Sequence, residues 1–175
     1  IEHAAEMIDR AERPLIYAGG GAAWSGAENR LMELARKIKA PVVTSYMGIG
    51  CCPPDYERAL GVLSDINIKA TEAISECDLF ITVGARFNSR YGAFNGLRKR
   101  RIPLLQLDSD KAEIDKNLTA AAAVVGDAAF SLDALLPLAG EKRDAEWAYD
   151  SMPDAKEENR GTRIIRALTR AMGRN

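Results

Sequence analysis

Leu79-Phe80-Ile81-Thr82-Val83-Gly84 is the stretch on which the fold turns. Five apolar or β-branched residues in succession stop at a glycine. An alternating pattern would signal a strand with one wet face; an unbroken one signals a strand covered on both faces, as parallel strands are. Downstream, Pro103-Leu104-Leu105-Gln106-Leu107 repeats the pattern and ends in Asp108-Ser109-Asp110. Ala122-Ala123-Val124-Val125 repeats it again and ends in Gly126-Asp127, before a helix carrying Phe130, Leu132, Leu135 and Leu136. Upstream, Ala70, Ala73 and Ile74 mark a helix that stops before Cys77-Asp78. Pro41-Val42-Val43-Thr44 is a further strand, bounded by proline and by Gly48 and Gly50, and a turn-rich loop follows through Cys51-Cys52-Pro53-Pro54-Asp55. Leu15-Ile16-Tyr17-Ala18, introduced by Pro14, ends at Gly19-Gly20-Gly21.

Helical spacing fills the intervals. Ala4, Ala5, Ile8 and Ala11 give one face to the segment from Glu2 to Glu12. Leu31, Leu34, Ala35 and Ile38 do so for a second helix, whose start reads as a capping box at Ser25-Gly26-Ala27-Glu28. Apolar runs separated by helices make repeated β-α units. The expected fold is α/β: a doubly wound, mostly parallel sheet of five or six strands.

The chain has 175 residues, 47% hydrophobic and 28% charged, an ordinary globular mixture. Lys plus Arg total 24 and Asp plus Glu 25, a net charge of −1, so no global field draws the chain to nucleic acid or an anionic membrane. No apolar run approaches the ~20 residues of a transmembrane helix, and no secretory leader is expected. The three cysteines, Cys51, Cys52 and Cys77, are an odd set that fits a reducing cytosol, so a cytoplasmic location is expected. The first residue is Ile1, not Met, and the chain is expected to be a piece of a longer protein.

Residues 1–139 are expected to form the α/β nucleotide-binding-like domain. Composition changes at Gly140: residues 140–161 read as a charged linker with Trp147, Tyr149 and Met152 as apolar anchors. Residues 162–175 read as one more helix, a candidate start of a next domain, with Ile164, Ile165, Leu168 and Ala171 inward. Arg163, Arg166, Arg170 and Arg174 fall mostly on its other side, as a solvated basic face or an anion site.

Ligands of open parallel sheets bind beyond the carboxyl ends of the strands. The residues there are Gly19-Gly20-Gly21, Ser45-Tyr46-Met47-Gly48, Gly84-Ala85-Arg86, Asp108-Ser109-Asp110 and Gly126-Asp127. Glycines admit a ligand to the backbone, carboxylates accept from ribose hydroxyls and arginine pairs with pyrophosphate. Each element also has a plainer reading. The glycines make a tight strand-to-helix turn, and Trp24 stands where a dinucleotide fingerprint would need glycine. Arg86 and Arg90 are an anion clamp or two solvated side chains. Asp108, Asp110 and Asp127 are ligand acceptors or helix N-caps, the latter the better reading for Asp127, and Asp108 with Asp110 lacks further ligands for a metal. His3 is the only histidine, so a Ser/His or Cys/His nucleophile is hard to assemble. Cys51 and Cys52 read as loop packing or reactive thiols, and Arg98-Lys99-Arg100-Arg101 as a solvated loop or part of a nucleic-acid surface.

Taken in order, these ends resemble a known family. Arg13 to Gly21, Ala40 to Gly50, Cys77 to Phe87 with Asn88-Ser89-Arg90, Leu107 to Asp110, Glu113-Ile114, Lys116-Asn117 and Val125 to Asp127 look like the central domain of thiamine-diphosphate enzymes, most like the acetolactate synthase catalytic subunit. The likeness covers about residues 1–139. It implies a Rossmann-like sheet as the middle of three α/β domains, the outer two binding thiamine diphosphate and Mg²⁺ across a dimer interface. The middle domain of that family holds FAD, which takes no net redox part in the main reaction. By resemblance, Gly19, Gly20, Gly21, Ser45, Tyr46, Met47, Arg86, Arg90, Asp108, Ser109, Asp127 and Ala128 form the nucleotide site, with no catalytic and no metal residues in this chain. The family's Gly-Met-His-Gly corresponds to Ser64-Asp65-Ile66-Asn67 here, and its Arg-Phe-Asp-Asp-Arg to Arg86-Phe87-Asn88-Ser89-Arg90. FAD, ADP or an empty cleft all remain open at this point. The resemblance implies a parent that decarboxylates one 2-oxo acid and joins it to another, as a homodimer or homotetramer, with the missing flanking domains as this chain's partners. The other readings are an inert brace domain of a related decarboxylase and a free-standing nucleotide-binding module.

Overall fold

The computed structural model describes residues 1–64, 66–87 and 93–142. Six strands make one sheet: β1 (Pro14–Ala18), β2 (Val42–Thr44), β3 (Ala59–Val62), β4 (Leu79–Val83), β5 (Leu104–Asp108) and β6 (Ala122–Val125). Their order is β3-β2-β1-β4-β5-β6, and every neighbouring pair is parallel. The order reverses between β1 and β4, which is where such sheets open a crevice at their carboxyl edge.

The helices are α1 (Glu2–Arg10), α2 (Gly20–Trp24), α3 (Glu28–Lys37), α4 (Ile68–Glu76), α5 (Ala93–Arg100) and α6 (Ala128–Leu135). They divide between the two faces as the unbroken strands require. One core joins Ile16, Ile81, Val83 and Leu105 of the sheet to Ile8 of α1, Leu31 and Leu34 of α3, and Leu132 and Leu135 of α6. The other joins Leu15, Tyr17 and Phe80 to Ala73 and Ile74 of α4 and Phe94 and Leu97 of α5. Tyr17 stacks on Phe80 at 5.9 Å between ring centroids and meets Phe94 edge-on at 5.8 Å. β1, β4 and β5 are buried along their whole length.

Several local expectations are corrected. β3 did not figure among the apolar runs, because this edge strand is only intermittently buried and contains Gly61 at φ +73°. The capping box is absent: Ala27, with no side-chain acceptor, precedes α3, and the Ser25 hydroxyl donates back to Ala22 O at 3.2 Å. Arg98-Lys99-Arg100 is no loop but the last turn of α5, where cations meet the negative helix end. There Arg98 donates to Asn117 O at 2.6 Å and Arg100 to Ser75 O. Phe130, placed with the apolar residues of the last helix, is 77% exposed. No helix of the described residues is long and apolar enough to cross a membrane. The expected linker and terminal helix, apart from residues 140–142, lie outside the described residues.

Candidate functional site: a cleft at the carboxyl edge of the sheet

The floor of the crevice is made by two chain turns pressed together. β1 runs out at Ala18 and α2 begins two residues later, while β4 runs out at Val83. Gly19 N donates to Val83 O at 2.9 Å, and Gly21 N to Gly84 O at 2.9 Å. A Cβ on Gly19 would stand 2.2 Å from Gly84 O. Gly84 has φ +55°, and a Cβ on it would meet Ala22 N at 2.5 Å. Only glycine permits this contact, and the contact brings the two central strand ends side by side.

The rim follows from the next turns. After β2, Ser45 caps a 3-10 turn (Tyr46–Gly48) by accepting from Gly48 N at 3.0 Å. That turn leaves Tyr46 and Met47 each 61% exposed, and α2 ends in Trp24, 80% exposed. After β5, Asp108 Oδ1 accepts from Asp110 N at 2.9 Å, and Asp110 Oδ1 accepts from Ala112 N at 2.9 Å. After β6, Asp127 Oδ1 accepts from Ala129 N at 2.9 Å and Phe130 N at 3.3 Å, so Asp127 is the N-cap of α6. Arg86, whose side chain is largely exposed, has Nε 3.6 Å from Glu113 Oε1. That buried carboxylate also receives Lys116 Nζ at 2.7 Å.

Together these ends enclose a cleft of about 640 Å³. Of the residues expected there, Gly20, Gly21, Ser45, Tyr46, Met47, Arg86, Asp108, Ser109, Asp127 and Ala128 line it. Gly19 lies behind the lining, against the Gly84 carbonyl. Arg90 lies outside the described residues. Gly84 and Asp110, strand-end residues outside the expected set, line the cleft as well. Tyr17 and Trp24 also line it, and sequence reasoning missed both. Tyr17 sits inside a strand, and Trp24 registered only as a failed glycine; its place at the end of a short helix beside the crevice was its one signal.

The described rim thus carries the carboxylates of Asp108, Asp110 and Asp127, one guanidinium, and three exposed apolar side chains. The second oxygens of Asp108 and Asp127 accept no hydrogen bond among the described residues. Such a surface suits a ligand with hydroxyl donors, a flat ring and one anionic group. No histidine or cysteine is among the described residues that line it. Cys51 is wholly buried, and burial pushes it and Cys52 up to about 11, so both are neutral thiols packed under their loop rather than reactive thiolates. Among the described residues, no group of three His, Cys, Asp or Glu side chains could hold a metal ion.

Comparison with known proteins gives this geometry a context. Residues 1–135 match the family model described as thiamine pyrophosphate enzyme, central domain. The chain is 41% identical over 160 residues to a probable acetolactate synthase large subunit of Methanocaldococcus jannaschii, covering 90% of this chain and 27% of that protein. It is 36% identical over 149 residues to the acetolactate synthase large subunit of Parasynechococcus marenigrum, covering 82% of this chain and 24% of that protein. It is 33% identical over 170 residues to the acetolactate synthase isozyme 2 large subunit of Escherichia coli, covering 89% and 30%. The chain therefore spans about a quarter to a third of the length of these curated relatives. By fold and by sequence, this chain belongs to the family of thiamine pyrophosphate enzyme central domains.

Proposed function

We propose that this chain serves as the nucleotide-holding central domain of an acetolactate-forming enzyme, binding FAD or its ADP portion in the carboxyl-edge cleft. The observation that carries the proposal is the cleft itself, at the reversal point of the sheet, with unclaimed carboxylate oxygens beside exposed aromatic rings. These residues fit the nucleotide part of such a ligand. Asp108 offers an acceptor for sugar hydroxyls, Trp24 and Tyr46 offer ring surface, and Arg86 offers a charge-assisted donor for phosphate. FAD, if held here, would supply flat ring surface and a pyrophosphate for Trp24, Tyr46 and Arg86 to hold. The parent reaction is decarboxylation of one 2-oxo acid followed by carboligation to a second. Thiamine diphosphate and Mg²⁺ belong to flanking domains, and the parent assembles as a cytoplasmic homodimer or homotetramer.

Calorimetric titration of the chain with FAD, ADP and NAD tests the binding. FAD or ADP is expected to saturate a single site, and Arg86→Ala to weaken it about tenfold, the loss of one charge-assisted contact. Silence with all three nucleotides would replace this reading by an inert brace domain. Incubation with pyruvate, thiamine diphosphate and Mg²⁺ is expected to yield no acetolactate; measurable product would show that the chain holds thiamine machinery of its own.

A further inference from the structure

A second cavity, of about 470 Å³, lies at the opposite, amino edge of the sheet. Its floor is apolar, built from Phe80 at the start of β4, Leu104 at the start of β5, Leu97 of α5 and Leu118. Two cations, Arg98 and Arg101, stand on its wall. Arg98 spends one N–H on Asn117 O and keeps the rest of its fork. Arg101 has no side-chain hydrogen-bond or ion-pair partner among the described residues.

The backbone adds an independent observation. α5 closes with Ile102 N donating to Leu97 O at 3.1 Å, and Arg101 occupies the left-handed position of that cap at φ +55°. Glycine is the residue that suits this position. An arginine there strains the backbone and puts a guanidinium on the wall of an apolar cavity. The cavity also falls within the roughly 300–1,000 Å³ range of small-molecule pockets, which are mostly apolar with a few placed polar groups.

We propose that this cavity binds a small aliphatic carboxylate, its chain against Phe80, Leu97, Leu104 and Leu118 and its carboxylate met by Arg101 and Arg98. The apolar floor selects a hydrocarbon tail, and two positive groups with no facing acid among the lining residues select an anionic head. The site is separate from the nucleotide cleft, on the other edge of the sheet, and stands or falls without it.

Hexanoate is the probe, titrated into the 175-residue chain while backbone amide shifts are followed. Saturable shifts are expected at Arg98, Arg101, Ala120 and Ala121, with hexanol and hexylamine at least about tenfold weaker. Arg101→Gly is expected to lower hexanoate affinity by about tenfold or more while leaving the melting temperature unchanged or raised, because it relieves the left-handed strain. A purely structural arginine would move stability and not affinity. Arg98→Gln is expected to weaken hexanoate in the same sense and gives the same reading should the first variant misfold. Equal binding of hexanol, shifts that never saturate or centre on Arg86 and Asp108, or undiminished affinity in both variants would overturn the proposal. Saturation with ADP is expected to leave hexanoate affinity unchanged, so failure here is distinguishable from failure of the nucleotide reading.

Discussion

Gly84, at the floor of the cleft, is constrained twice, by its backbone conformation and by its neighbours. Its left-handed backbone and the 2.5 Å approach of its missing Cβ to Ala22 N leave no room for a side chain, and the obstacle is backbone rather than a movable group. Gly84→Ala is expected to destabilise the fold by about 2–4 kcal/mol, read as a lowered urea midpoint; an unchanged midpoint would show that the α2 turn yields freely. Thr82 is the opposite case. Its hydroxyl is buried with no hydrogen-bond partner among the described residues, as is the carbonyl oxygen of Gln106, its neighbour across β4 and β5. Thr82→Val is expected to raise stability by about 1 kcal/mol, since it removes a polar group that burial penalises. A loss instead would reveal a bound water. The glycine was legible in the sequence as a strand end, but its reason was not: Gly21, which forces it, lies 63 residues away. The Thr82–Gln106 pair was equally hidden, because strand register is not written in either run alone.

At the scale of elements, Asn67 does for α4 what the expected capping box fails to do for α3. Its Oδ1 accepts from Ala70 N at 3.1 Å, while Nδ2 donates to Leu60 O and Val62 O, each at 2.8 Å. One side chain therefore starts α4 and fastens it to the edge strand β3. Asn67→Ala is expected to cost about 1–3 kcal/mol and to loosen β3 first, seen as faster amide exchange at Leu60 and Leu63; uniform exchange across the sheet would contradict this. The strands buried on both faces were legible as unbroken apolar runs. β3 was not, because it has neither the unbroken run nor clean alternation. β6, the other edge strand, is a correction: its unbroken run is nowhere fully buried, since no strand covers its outer side. The basic quartet failed as a loop for a related reason. Charge says where solvent is, whereas the end of α5 is set by its backbone cap, in which Ile102 N donates to Leu97 O. The carboxyl-edge turns were legible because parallel α/β topology fixes where loops gather, whatever their residues.

For the whole molecule, alkaline pH is the expected weak point. Burial raises Cys51 and Cys52 to about 11 and Cys77 to about 12, against an ordinary 9.0. It raises Tyr56 to about 12 from 10.0, while its hydroxyl donates to Ala40 O at 3.0 Å. The folded chain keeps these groups protonated and the unfolded chain does not, so their contribution is complete below about pH 9 and drains away as pH climbs to about 11–12. Unfolding free energy is expected to be flat from about pH 7 to 8.5 as far as these groups are concerned and to fall steadily beyond about pH 9; triple replacement of the cysteines by alanine should flatten most of that slope. A last feature concerns the path of the chain. Gly140 N donates to Asp9 Oδ1 at 2.7 Å, and Lys142 Nζ donates to Ala11 O, so the strand of chain leaving α6 is stitched to the end of α1. The route through six strands and back thus closes on itself like a drawstring bag. Tension applied across the stitched points would meet that seam before it reached any strand, leaving the crevice unmoved.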